Sequence, residues 1–224
     1  MTSSRPPADD SYRHRGQRRA LVRELRARGI TDERVLAALE AVPRHLFFAP
    51  GFREHAYHDK AFPIGEGQTI SQPYTVAFQS QLLRLRPGER VLEVGTGSGY
   101  QCAVLLHLTR QVWSIELNEV LYARTRQRLP ELGIRGAHLH CGDGSLGLPD
   151  AAPFDGILVT AGAPALPPAL LRQLAPGGRL VIPVGDAQAQ KMLRVTREGP
   201  DEYVREEFAD FRFVPLLGEG GWSR

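Results

Sequence analysis

The chain has 224 residues, 42% hydrophobic and 24% charged, a balance that fits one ordinary globular domain with an appended segment. Two cysteines, Cys102 and Cys141, are too few for a disulfide framework, and a net charge of +3 with only Lys60 and Lys191 as lysines does not by itself indicate nucleic acid. The start, MTSSRPPADD, has no apolar stretch of signal-peptide length, and no window approaches about eighteen uninterrupted apolar residues, so the expectation is a soluble cytoplasmic protein without membrane or nucleic-acid partners.

Residues 1–10 are polar and proline-containing and are expected to be disordered. In RRALVRELRARGI, Leu21, Val22 and Leu25 recur at helical spacing, with Gly29 as a stop. TDERVLAALEAV reads as a second amphipathic helix, capped by Thr31 or Asp32 and finished before Pro43. The stretch from Pro43 to Gln68 is rich in Pro, Gly and aromatics and reads as a long loop of the kind that carries function. From Arg90 onward strands alternate with helices: RVLEVG, QVWSIE, AHLHCGD, FDGILVT and GGRLVIPVG are strands, with helices in YQCAVLLHL, from about Asn118, and in PPALLRQLA. Pro130 should kink or end its helix. The last segment, QKMLRVTREGPDEYVREEFADFRFVPLL, turns at Gly199-Pro200 and reads as an antiparallel pair closing the sheet. The alternation predicts an α/β fold, a doubly wound and mostly parallel Rossmann-like sheet covered on both faces.

VLEVGTGSGY is the most informative segment. Gly95, Gly97 and Gly99 lie where the first strand of the sheet turns into its helix, the place where open α/β sheets bind ligands. A dinucleotide fingerprint would need a third glycine where Tyr100 stands, which weakens a pyrophosphate reading. Glu93 adds a carboxylate that would repel phosphates and welcome a cationic amine or sulfonium, both of which S-adenosylmethionine carries. Glu116 ends the second strand, placed to accept hydrogen bonds from ribose hydroxyls, a feature shared by NAD and S-adenosylmethionine. CGDG ends the third; Asp143 could accept from an adenine amino group and Gly144 could let the ring approach. His45, His55 and His58, and His138, His140 and Cys141, lack four ligands at zinc spacing, so no metal is expected, and both cysteines read as buried small hydrophobes.

Taken together, these residues resemble the protein-L-isoaspartate O-methyltransferase family, in the class I methyltransferase fold, over nearly the whole chain. GITDERVLAALEAVPRHLFF resembles the family's N-terminal segment and IGEGQTISQPYTVA its signature; VLEVGTGSGYQCAVL, CGDG, APFDGILVTAG, LAPGGRLVIPVG and RFVPLL follow in the family's order. Departures are Gly162 where the family usually has alanine, Thr75 where an apolar residue is usual, and FQSQLL in place of its common MTELL helix. The resemblance implies transfer of a methyl group from S-adenosyl-L-methionine to the free α-carboxylate of an L-isoaspartyl residue in a damaged protein or peptide, leaving S-adenosyl-L-homocysteine. The ester then closes to a succinimide by chemistry of the peptide itself. By motif position Ser71 matches the active-site serine, Thr69 and Ile70 lie with it against the cofactor, and Glu116, Asp143 and Gly144 match ribose and adenine contacts. Residues 11–73 then read as a helical and substrate-loop segment and 74–224 as the cofactor domain, working as a monomer.

A carboxylate is already ionised at neutral pH and needs no general base, so an enzyme of this kind has only to position it. GEGQTISQPY fits that task, with small hydrogen-bonding groups and no paired acid or base. Ser71 also fits a plain helix N-cap. The alternatives are an RNA or small-molecule methyltransferase, a peptide-tailoring carboxyl methyltransferase with one dedicated substrate, and a non-catalytic cofactor-binding adaptor.

Overall fold

A computed structural model describes residues 10–223. Its first two helices are α1 (Tyr12–Ala27) and α2 (Glu33–Ala41). Asp32 caps α2, accepting from the amides of Arg34 (2.9 Å) and Val35 (3.3 Å). Each helix turns one apolar stripe inward, Leu21, Val22 and Leu25 from α1 and Val35, Leu36 and Leu39 from α2, and these join one core with Ala103, Val104 and Leu105. At about 1.5–3 kcal/mol per fully buried aliphatic side chain, this packing fixes the N-terminal segment to the rest of the chain. Of the polar start, only Asp10 is among the described residues; it is buried and paired with Arg18 at 3.0 Å.

The stretch read as a long loop is structured. Two 3-10 turns, Arg44–Phe47 and Pro50–His55, lead into a hairpin of β1 (Phe62–Gly65) and β2 (Gln68–Ile70). Leu46, Phe47 and Phe48 anchor the first turn in the core. Gly65 pairs with Gln68 across a two-residue connection, and both Glu66 (φ 54°) and Gly67 (φ 68°) take the left-handed conformation that such tight hairpins require. Elements this short carry too few residues for a period to show in sequence, which is why they read as loop.

Then follow α3 (Pro73–Leu83), β3 (Arg90–Val94), α4 (Tyr100–Leu108), β4 (Gln111–Glu116), α5 (Glu119–Glu131), β5 (Ala137–Cys141), β6 (Phe154–Val159), α6 (Pro168–Arg172), β7 (Leu174–Gly185), β8 (Gln190–Arg197) and β9 (Tyr203–Phe211). Asn118 caps α5, and Pro130 sits one residue before that helix ends. The seven-stranded sheet has the order β5-β4-β3-β6-β7-β8-β9, parallel from β5 to β7 and antiparallel at β8 and β9. The doubly wound, mostly parallel fold with an antiparallel C-terminal pair is as the sequence implied.

From β3 the chain winds outward through β4 to β5, then returns to place β6 on the other side of β3. That reversal opens a crevice at the carboxyl ends of β3 and β6, the switch point at which such sheets bind ligands. The two cysteines differ: Cys102 is buried inside α4, whereas Cys141, at the free end of the edge strand β5, is exposed, against the expectation that both are core residues. No helix among the described residues is long and apolar enough to cross a membrane.

Candidate active site

The glycine loop after β3 floors a cleft of about 320 Å³ at the switch point. Gly95 has φ +98°, and a Cβ there would lie 2.3 Å from the Thr160 hydroxyl oxygen, so only glycine lets the β3 loop pass the end of β6. Its amide donates to Ile115 O at 2.9 Å, tying the loop to β4. Glu116 braces the next turn: Oε2 accepts from the Gly97 amide (2.7 Å) and Oε1 from the Asn118 amide (2.9 Å). Thr125 of α5 donates from its hydroxyl to Gly97 O at 2.6 Å. The Glu116 carboxylate thus stands fixed in the wall, and its remaining lone pairs can accept from a ligand.

Ile115, Leu117, Leu216 and Leu217 give the cleft apolar lining, and Gly144 lies in the wall against Val94 and Ile115. Thr69 and Ile70 of the hairpin, and Ser71 just after it, also line the cleft. Thr69, Ser71, Thr160 and Val214 also wall a second groove, whose far side is built from Arg28, Tyr74 and residues 209–213. Ser71 therefore stands where the two cavities meet. It is not the helix cap: Gln72 occupies that position with Pro73 at the first helical residue, and no hydrogen bond holds the Ser71 hydroxyl among the described residues. Neither cavity is lined by a histidine, lysine or cysteine.

Of the residues singled out in the sequence, Thr69, Ile70, Ser71, Gly95, Gly97, Glu116 and Gly144 line the cleft together. Three, Glu93, Gly99 and Asp143, do not line it. Glu93 is fully buried beneath the loop, where Ser114 donates to its Oε2 at 2.5 Å and the Thr96 hydroxyl reaches Ser114 at 2.6 Å. Burial, opposed by the Ser114 bond and reinforced by the Glu116 charge, pushes its carboxyl up to about 8. Its carboxyl is shut off from the cleft, so Glu93 stands as a polar post under the loop. The Cys102 thiol beside it is likewise pushed up, by burial and then by Glu93.

Gly99 caps α4 at φ +81°, and a Cβ there would meet Thr125 Cγ2 at 2.8 Å and Leu129 Cδ2 at 3.0 Å, so its role is the close packing of α4 on α5. Asp143 faces the C-terminal segment: Oδ1 accepts from the Ser145 amide (2.9 Å) and hydroxyl (2.6 Å), Oδ2 from the Glu219 amide (2.8 Å). It lines an adjoining depression with Leu117, Gly218, Glu219, Gly221, Trp222 and Ser223 rather than the cleft wall.

These cavities belong to a known architecture. The pattern of the protein-L-isoaspartate(D-aspartate) O-methyltransferase family matches residues 16–221. The chain belongs to that family. It is 57% identical over 215 residues to a protein-L-isoaspartate O-methyltransferase of Cytophaga hutchinsonii, covering 96% of this chain and 97% of the relative. It is 53% identical to the one from Salinibacter ruber, covering 98% of each. Among solved structures, a protein-L-isoaspartate O-methyltransferase superposes with a TM-score of 0.81 at 29% identity, over 91% of this chain and 67% of that one. A Plasmodium falciparum structure described as a PCMT in complex with S-adenosyl-L-homocysteine gives 0.78 at 25% identity, over 89% and 98%.

Sequence reading of this isoaspartate methyltransferase family member missed several wall residues. Glu66, Gln68, Ser98, Gln101 and Asn118 sit beside recognised positions, and their alternation with them in the loops was the available signal. Thr160, Val214, Leu216 and Leu217 come from far along the chain and gave none by spacing. Of the histidines, His55 and His58 lie together as expected, with ring centroids 5.3 Å apart, whereas His45 groups elsewhere. His45 stacks on His14 with ring centroids 3.8 Å apart, and its Nδ1 lies 2.7 Å from the Tyr57 hydroxyl.

Proposed function

We propose that this chain methylates the free α-carboxylate of L-isoaspartyl residues in proteins or peptides, using S-adenosyl-L-methionine and releasing S-adenosyl-L-homocysteine. Membership of the family supports the activity. The observation that carries the acceptor chemistry is the make-up of the junction. The described residues shared by both cavities are Thr69, Ser71, Thr160 and Val214, three hydroxyls with no acid or base, while the carboxylates of Glu66, Glu116 and Asp210 each line one cavity alone. An amine or alcohol acceptor must lose a proton to react, whereas a carboxylate arrives ionised.

The residues present fit the cofactor. Glu116 offers lone pairs to a ribose, the apolar wall at Ile115, Leu117, Leu216 and Gly144 accepts an adenine, and Gly95 and Gly97 leave main chain uncovered beside Ser98 for the amino-acid part. When bound, S-adenosyl-L-methionine supplies an electrophilic methyl group on a sulfonium. The protein's contribution is geometric: Ser71 donates to one acceptor carboxylate oxygen, leaving the other to approach in line. Alignment of this kind is worth roughly 7 kcal/mol or more in good cases. Residues 209–213, with Arg28 and Tyr74, form the groove that receives the flanking peptide. We read 11–73 as the segment that frames the acceptor and 74–224 as the cofactor domain. The methylated residue is then primed for closure to a succinimide, which needs no group from this chain.

The test is methyl incorporation into an isoaspartyl peptide and its normal aspartyl twin. Transfer to the first alone is the expected result; transfer to both equally, or to neither, overturns the reading.

A further inference from the structure

The N-terminal segment places an arginine directly behind the acceptor site. Arg44, in the first 3-10 turn, is 0% exposed. Its Nε donates to Ala56 O at 2.9 Å and its Nη2 to Ser71 O at 2.8 Å. The guanidinium carbon lies 4.6 Å from the centroid of the Tyr100 ring and 5.3 Å from that of Phe48. Nη1 makes no hydrogen bond of good geometry, and the Tyr100 side chain is the main polar neighbour that offsets the buried charge. Asp59 attracts the group from a distance, yet Asp59 is itself bonded to Arg28 and to the Tyr74 amide. Burial pulls the Arg44 pKa down, but a guanidinium stays protonated in proteins.

A buried cation with two carbonyls, two ring faces, the Tyr100 hydroxyl and no carboxylate bonded to it is only partly compensated. An apolar side chain of similar length would serve packing alone at less cost. The arrangement is one that an anion bound on the far side of Ser71 would complete.

We propose that Arg44 is a positioning residue for the acceptor carboxylate. Its charge, set behind Ser71, draws the ionised acid to the junction, and its bond to the Ser71 carbonyl holds the segment that presents the hydroxyl. The inference rests on the carboxylate-acceptor reading and deepens it. Methylation converts the acceptor from an anion to a neutral ester while Arg44 stays charged, so the attraction acts on the bound acid and vanishes with the product. The effect therefore belongs to acceptor affinity and to ester release and gives no help to the transfer step, because the acid is already losing its charge in the transition state.

The experiment is calorimetry on the full chain saturated with S-adenosyl-L-homocysteine. It compares an isoaspartyl peptide with the same peptide carrying an α-carboxamide, in wild type, Arg44→Gln and Arg44→Lys. Wild type should bind the acid at least about tenfold tighter than the amide. Arg44→Gln should bring the two within about twofold by weakening the acid alone, and Arg44→Lys should keep most of the preference. Equal weakening of both peptides by Arg44→Gln, or an unchanged ratio, overturns the proposal. If Arg44→Gln fails to bind S-adenosyl-L-homocysteine and so does not fold, Arg44→Lys and wild type still decide: a lost preference in the charged variant, or none in wild type, refutes it. A wild type that methylates the acid yet binds acid and amide equally sinks the Arg44 inference alone. A wild type that methylates no isoaspartyl peptide sinks the functional reading beneath it.

Discussion

Replacing Glu93 by glutamine isolates the electrostatic cost of the post under the glycine loop. In the folded chain this carboxyl is pushed from its ordinary 4.5 to about 8, chiefly by burial. Above pH 4.5 the unfolded chain has already released the proton that the folded chain retains, so this group's contribution to stability falls as pH rises and is lost once pH passes about 8. Over the whole interval the loss is on the order of 5 kcal/mol. Between pH 6 and 8 the unfolded chain holds almost no proton here, while the folded chain goes from nearly one to about half of one; that difference integrates to about 2 kcal/mol. Glutamine keeps the shape and can accept from Ser114, but it has no charge to desolvate at any pH. In urea unfolding, wild type should therefore lose about 2 kcal/mol more than Glu93→Gln between pH 6 and pH 8. Parallel pH slopes for the two proteins would refute the reasoning. Because Glu93 lies outside the cleft wall, the variant should also bind S-adenosyl-L-homocysteine within about threefold of wild type; a loss beyond about tenfold, or 1.4 kcal/mol, would return Glu93 to the role of ligand contact.

Ser71→Ala should lower kcat by about ten- to a hundredfold with cofactor affinity held within about twofold, read by initial rates and calorimetry; equal kcat would end the assigned role. Glu116→Ala removes an ionised acceptor and frees the Gly97 amide, so Kd for S-adenosyl-L-homocysteine should rise about tenfold or more, and an unchanged Kd would count against the ribose contact. Gly99→Ala forces a methyl group against Thr125 and Leu129 at a left-handed φ and should cost about 1–3 kcal/mol in denaturant unfolding. A variant as stable as wild type would show that α4 and α5 can part at no cost.

Much of the fold is legible because its signals are local. RVLEV and FDGILV are short, mostly apolar runs with helices between them, as strands covered on both faces require; Val91, Leu92, Val94 and Gly156 to Val159 are buried, and Glu93 is the buried polar exception. Asp32 and Asn118 announce the starts of α2 and α5 because a cap works through the amides of the next turn. The hairpin at Phe62–Ile70 escapes detection because it is too short to show a period, and its Glu66 takes a conformation that composition does not mark.

The site divides in the same way. Sequence by itself determined that a glycine turn leaves β3, that Glu116 closes β4, and that a polar segment with Ser71 precedes a helix, since each depends on neighbours in the chain. Tertiary structure decided what each residue faces. Glu93 and Glu116 share a face of the sheet, since Glu93 is in register with Ser114, two residues before Glu116. They differ in depth along the strands, so Glu116, nearer the carboxyl end, braces the loop from the cleft side, while Glu93 is shut beneath with Ser114 and Cys102. Only the folded chain brings Thr160 and Val214 to Ser71, and only there does Arg44 lie behind the serine, because contacts between residues far apart in the chain are set by packing and leave no period to read.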